Sequence, residues 1–452
     1  MQTLAQRLAQ YAVGVDFSCL PPAVVHEVKR RVIDSLGCAL GAWEAEPCAI
    51  ARRVASKFCT ERGATIWGTG HRVPPDWAVF ANGCLVRYLD FNDTYLSKEP
   101  AHPSDNIAAA FAVAETFSTS GSDLIAAIAL GYEIQCRLCD TASLRARGWD
   151  HVTYVALSSA LLSARLLDLD AERTEHAVNI AGVSAGSLRQ SRVGELSHWK
   201  AATVAHAARR GIFAALAAAE GMTGPAPIFE GVMGFEKLVS QAPLGAIVLQ
   251  RDDFMILKTS IKFWPAEYHS QSAIHAALAL RKQIANVAEI ESVTVQSHDA
   301  AVDIIGSEPE KWCPQNRETA DHSLPYIVAA ALADGEITDR QFAPERFSDP
   351  ALLALVQRVK VERDAELSAL YSETVANTVT VRLRDGRVLR ERVDDPPGHA
   401  HNPLSDSQLE AKFHALADAR LGPERAAALL REAWRLETLA DVGVIPRLLV
   451  LP

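Results

Sequence analysis

Apolar and polar positions change rhythm once along this chain. Up to about residue 257, Ala and Leu recur at helical spacing, as in PAVVHEVKRRVIDSLGCALGAW, DLIAAIALGYEIQCRLCDTA, TYVALSSALLSARLLDLD, AERTEHAVNIAGVSAGSLRQ and KAATVAHAARRGIFAALAAAEG. A further helix is predicted over 106–118. Few alternating β-branched runs interrupt this region, which predicts an all-helical domain. The Gly/Pro-rich stretch GMTGPAPIFEGVMG, 221–234, predicts a loop plus a short helix. From residue 258 a two-residue alternation enters. Strands are predicted at 290–297, 355–362, 377–386 and 387–395, with Asp385-Gly386 turning the last two into a hairpin. Helices at 271–284 and 326–333 separate the others. DDPPGHAHNP, 394–403, closes this smaller α+β unit, and Ser405 with Gln408 forms a capping box that reopens a helical pattern to about residue 433. The predicted fold is mainly α. A large all-helical domain, 1–257 plus 398–452, carries a smaller inserted α+β lid domain, 258–397.

Composition narrows the function classes. The 452 residues are 49% hydrophobic, and a mean hydropathy of +0.03 describes a soluble protein with a large core. A net charge of −10 argues against nucleic acid or an anionic membrane as partner. No apolar run reaches the ~20 residues of a membrane span. MQTLAQRLAQYAVGV lacks the basic start and apolar stretch of a secretory signal. A reducing, cytoplasmic setting is therefore expected. The eight cysteines are scattered, and Cys136 and Cys139 are predicted to share one helix face as core residues. No set of three or four can hold an iron–sulfur cluster.

Against this background the stretch RYLDFNDTYLSKEPAHPSDN, 87–106, stands out. It packs Asp90, Asp93, Thr94, His102, Ser104 and Asp105 between two apolar helical runs, where unpaired polar groups cost several kcal/mol. Histidine titrates near neutral pH, so His102 is a candidate acid or base, with Asp90 and Thr94 orienting it or a substrate. Asp93 and Asp105 read as structural caps. Three more segments concentrate chemistry. Arg189, Arg192, His198 and Lys200 form a cationic patch before an Ala-rich helix, suited to carboxylates. Lys262, Glu267, His269 and Gln271 lie where the two predicted domains meet. His322, Ser323 and Tyr326 precede an apolar helix, where a plain core role for Tyr326 is the simpler reading of the residues alone. His151, in GWDHVT, is a lone histidine before an apolar helix, a position more often structural.

LDFND followed by HPSDN, together with GELSHWK, PAEYHSQSA, TADHSLPY and the His151 segment, resembles the MmgE/PrpD family on its 2-methylcitrate dehydratase branch. The resemblance covers nearly the whole chain. It implies a helical domain with an inserted lid, an active site in the cleft between them, and a homodimer formed through the helical part. It places Lys200 in the active site, matches His151 to an active-site histidine and brings Tyr326 to the cleft. PAEYHSQSA favours the dehydratase branch over related decarboxylases. The expected activity is dehydration of 2-methylcitrate to 2-methyl-cis-aconitate by metal-independent acid–base elimination, with no cofactor. His102, Asp90, Tyr326 and His151 are the expected catalytic groups, with Thr94, Arg192, Lys200, Lys262 and His269 holding the tricarboxylate. A cis-aconitate decarboxylase or epimerase of the same family is the nearest alternative. A non-catalytic carboxylate-binding dimer and a metal-dependent hydratase stand further off.

Overall fold

Alanine and glycine on facing helices let backbones approach closely, and the first half of the chain uses this throughout. The computed structural model describes residues 2–451. It is mainly helical, 58% helix against 8% strand. Helices of the first part include α1 (Pro22–Gly41), α2 (Pro75–Tyr88), α3 (Ile107–Thr116), α4 (Gly121–Thr141), α5 (Thr153–Leu166), α6 (Ala171–Ser184) and α7 (Trp199–Ala219). A Cβ on Gly83 of α2 would lie 3.0 Å from the Ala205 Cβ of α7, and one on Gly211 of α7 would lie 2.5 Å from the Ala156 carbonyl oxygen of α5. Between α2 and α3, Asn106 ties the layers. Its amide donates to Gln135 at 2.6 Å and its oxygen accepts from Ser158 at 2.8 Å.

The buried apolar residues gather into two main cores. One runs from Leu4 to Ile261 and resumes at Leu404. The other lies within Trp264–Leu383. Helices α8 (Gln271–Arg281) and α9 (Leu324–Asp334) pack there on a four-stranded mixed sheet. Its strands are β1 (Ile290–Ser297), β2 (Val359–Arg363), β3 (Asn377–Leu383) and β4 (Val388–Val393), in the order β2-β1-β3-β4. β1 pairs parallel with β2 through Val293 and Val359, and antiparallel with β3 through Val295 and Val379. The β3–β4 hairpin turns at Asp385-Gly386 as predicted, with Gly386 at φ 89°. The chain then returns to the first core through α10 (Asp406–Leu421), opened by the Ser405/Gln408 capping box, and α11 (Pro423–Trp434).

Two predicted elements move. The strand expected at 355–362 begins at Val359, because Asp349 caps a short helix, Pro350–Val356, that consumes its first residues. The helix expected within 221–234 lies beyond it, as a single turn at Glu236–Ser240. A Cβ on Gly234 would sit 2.6 Å from the Phe229 carbonyl oxygen, and this stretch folds tightly on itself through isolated turn bonds such as Gly231 to Pro227 at 3.1 Å. No helix among the described residues is long and apolar enough to cross a membrane.

Candidate active site

Helix α2 ends just before Asp90, which adopts a left-handed backbone, φ 50°, that aspartate tolerates better than most residues. This turn aims the carboxylate back at Arg87, three residues earlier, and the two form a buried ion pair. Lys262 arrives from the crossing between the two cores and donates at 2.9 Å to both the Asp90 carboxylate and its carbonyl oxygen. Lys200, in the first turn of α7, donates to Asp321 at 2.9 Å and lies 3.9 Å from Asp90. His322 brings Nε2 to 3.4 Å from Asp90 and Nδ1 to 3.0 Å from the Lys200 ammonium. Asp321 and His322 belong to the second core's side, so both parts of the molecule build this cluster.

Burial alone would push the Asp90 carboxyl up, but Arg87, Lys262 and Lys200 together hold it well below the usual carboxylate range. Asp90 therefore stays ionised and anchors cations. Burial pulls both lysines below their ordinary value, against the pull of Asp321 and Asp90 on Lys200 and of Asp90 on Lys262. It also lowers His322, helped by Lys200.

Two histidines border the cluster. Pro103 keeps His102 extended, and its Nδ1 donates to the Asp93 carbonyl at 2.7 Å. Its Nε2 is then the acceptor, and Arg87 donates to it at 3.0 Å. Burial, with Arg87 and Lys262, drives its pKa well below normal. His151 stands 5.5 Å away, ring centre to ring centre. Its Nδ1 faces Asp150 at 3.0 Å, and its buried Nε2 has no partner among the described residues. Asp150 also accepts from Ser191 at 2.7 Å and from Arg192 at 3.0 Å. Burial works against the Asp150 charge, yet Arg192 and His151 hold the carboxyl well below its ordinary range. Burial lowers the His151 pKa despite this neighbour. The result is a buried imidazole of lowered pKa whose Nε2 is open, with the Asp150 carboxylate behind its other nitrogen.

The other candidates fall in different places. Thr94 exchanges backbone bonds with Ser260 at 2.8 Å, and its hydroxyl donates to the Ala101 carbonyl at 3.2 Å, so it builds the loop. His269 pairs with Glu267 at 2.6 Å and Tyr371 at 3.2 Å, one residue removed from the cluster. Glu267 itself is lowered to about 2: burial opposes its charge, but His269, His322 and Lys262 overcome this. His198 is exposed. Tyr326 does not join the site. It lies in the first turn of α9 with no exposed surface, its hydroxyl donates to the Gln341 carbonyl, and its ring packs near Phe342. Asp93 supports the loop, accepting from the Ser104 amide at 3.0 Å and the Tyr132 hydroxyl at 2.7 Å. Asp105 caps nothing. Both its oxygens are buried without partners among the described residues, and burial pushes its pKa well up.

Arg87, Asp150 and Asp321 were absent from the expected set. Each carried a signal: Arg87 sits three residues before Asp90, and the chain contains the dipeptides Asp150-His151 and Asp321-His322. Asp90, Asp321 and His322 bring ligand atoms within 4.8 Å of one another. Arg87, Lys200 and Lys262 already lie against those same atoms, so a divalent ion would meet three cations at contact range, and the set does not fit a metal. Cys136 and Cys139 are buried in α4 with their thiols pushed well up, as core residues.

The arrangement gathers three cations around one buried carboxylate, with the unpartnered nitrogen of His151 on the far side of His102. The MmgE/PrpD N-terminal domain model matches residues 6–244, and the C-terminal domain model matches 264–437. A 2-methylcitrate dehydratase of Cupriavidus necator is 31% identical over 89% of this chain and 87% of that protein. One from Escherichia coli K12 is 31% identical over 82% of this chain and 80% of that protein. A human cis-aconitate decarboxylase is 27% identical over 100% of this chain and 95% of that protein.

Proposed function

This chain belongs to the MmgE/PrpD family, and on that footing we propose that it is a hydro-lyase that dehydrates 2-methylcitrate to 2-methyl-cis-aconitate. The observation that carries this reading is the free, buried Nε2 of His151, backed by Asp150 and placed beside a cluster of fixed cations. A tricarboxylate needs several cationic partners. Each lysine ammonium has three donors, and Lys262 and Lys200 spend only part of theirs on Asp90, Asp321 and His322. The Arg87 Nε–H is buried without a partner. Arg192 contributes from the half-buried side of Asp150. Cations on a carboxylate stabilise the negative charge that builds when the neighbouring C–H proton leaves.

In this reading His151 Nε2 takes that proton, and Asp150 stabilises the imidazolium that forms. The C–O bond breaks and hydroxide departs toward the lysine pair. A lowered lysine pKa makes the ammonium a better proton donor, so Lys200 or Lys262 supplies the proton that completes water. His102 orients Arg87 and faces His151. The reaction uses no metal and no cofactor. The part built on the second core acts as a lid, since it brings Asp321 and His322 onto Lys200 and Asp90. A homodimer through the helical part would cover the exposed Val183, Trp199 and Phe213.

A decarboxylase acting on cis-aconitate is the second reading, favoured by the full-length match to proteins of that activity. The same cations would hold that acid. Proton NMR of purified protein given 2-methylcitrate, citrate and cis-aconitate in turn separates the two. Conversion of 2-methylcitrate to an unsaturated tricarboxylate supports the dehydratase. Loss of carbon dioxide from cis-aconitate, without dehydration, would replace it with the decarboxylase.

A further inference from the structure

A second group of ligating side chains sits on the returning crossing of the chain, apart from the cation cluster. Asp395, His399 and His401 lie in one tight turn. His399 Nδ1 is 3.2 Å from one Asp395 oxygen and His401 Nδ1 is 3.7 Å from the other. The three ligand atoms lie within 4.8 Å of one another. Neighbouring backbone fixes the turn. The Ile261 amide donates to the Gly398 carbonyl at 2.9 Å, and the Ala400 amide donates to the Ser260 hydroxyl at 3.0 Å. Gly398 has φ 89°, and a Cβ there would lie 1.9 Å from the Ile261 carbonyl oxygen, so only glycine allows this approach.

The polar atoms of this turn do not satisfy one another. The His401 amide donates to His399 Nδ1 at 3.2 Å, which makes that nitrogen an acceptor. Nδ1 then stands 3.2 Å from Asp395 Oδ1, which is buried with no hydrogen-bond donor among the described residues. Two acceptors so placed repel, and a cation that takes the Nδ1 lone pair over from the long amide contact serves both. Unlike Asp90, Asp395 forms ion pairs only with histidines among the described residues. His399 and His401 also line a cavity of about 530 Å³ together with Glu373, Asp140 and Lys258, the last drawn off by Asp253 at 2.6 Å, which leaves an open side for water or a further oxygen ligand.

We propose that Asp395, His399 and His401 bind one divalent transition-metal ion of the zinc type. Two imidazoles and a carboxylate select zinc, cobalt or nickel over magnesium or calcium. The ion locks the returning turn, whose backbone already bonds the outgoing crossing at Ser260 and Ile261, and so has a structural role distinct from the proposed chemistry at His151.

The test uses untagged, full-length protein stripped with a chelator, incubated with zinc, desalted and analysed by elemental mass spectrometry and calorimetry. One retained zinc per chain is expected, with a Tm raised by roughly 2–4 °C at saturating zinc. His401→Ala and Asp395→Asn should each lose the retained ion and the shift while keeping the metal-free Tm. His401 is about half exposed, so its truncation spares the fold. Cobalt(II) in place of zinc should give visible bands that His401→Ala abolishes. Absence of retained zinc in the unmodified protein, or equal retention by the His401→Ala/Asp395→Asn double variant, overturns the site and leaves a hydrogen-bonded turn.

Discussion

His151 and His102 are both buried and held neutral, yet their free nitrogens differ. Arg87 occupies Nε2 of His102, whereas Nε2 of His151 has no partner. His151→Ala should therefore cut kcat by about 10²–10⁴-fold, the usual contribution of a general base, with circular dichroism unchanged. A base must be unprotonated, and the folded pKa of His151 lies below its ordinary 6.5. In the wild type kcat/KM should rise with pH along a limb centred below that value and stay level through neutrality. His102→Asn should lower kcat but keep the limb. A limb lost in His102→Asn and kept in His151→Ala would exchange their roles. His102 drew notice in the sequence because its segment interrupts apolar helical runs, Lys200 because it belongs to a cationic patch, and Lys262 because it lies where the two predicted parts meet. Tyr326 misled because TADHSLPY puts His322 before the helix and Tyr326 inside its first turn. The helix start at Leu324 sends the ring into the core, where its hydroxyl finds Gln341.

At the scale of elements, the site depends on ends and crossings. The last turn of α2 supplies Arg87, the first turn of α7 supplies Lys200, and the outgoing crossing supplies Lys262. Lys412 of α10 braces the assembly from beneath, donating at 2.8 Å to the Phe91 and Lys262 carbonyls. Lys262 has no exposed surface, so its loss leaves Asp90 short of a buried partner. Lys262→Met should destabilise the protein by roughly 3–5 kcal/mol in urea unfolding and lower kcat/KM as well. Asp90→Asn/Lys262→Met should recover part of the stability and none of the activity. Stability unchanged by Lys262→Met would show that Asp90 does not need this cation. Hydrophobic periodicity placed the helices and the hairpin, because each has one face on a core. It missed the start of β2, since Asp349 capping acts locally and reads only as a turn residue.

At the scale of the whole molecule, the sequence pattern foresaw a mainly helical chain whose second part adds a small sheet. It could not foresee that Asp321 and His322 meet Asp90, because that contact spans more than 200 residues and follows from how the two parts dock. Because cations fill the places a metal would take at Asp90, a chelator should leave turnover intact even where it lowers Tm through the turn at His399. Activity lost on chelation and restored by added metal would contradict the acid–base reading. The decisive assay is NMR of 2-methylcitrate incubated with wild type and with folded His151→Ala. Formation of 2-methyl-cis-aconitate by wild type, and at most about a hundredth of that rate by the variant, is the predicted result. A wild type inert toward 2-methylcitrate, or a folded variant that turns it over at the wild-type rate, would contradict it.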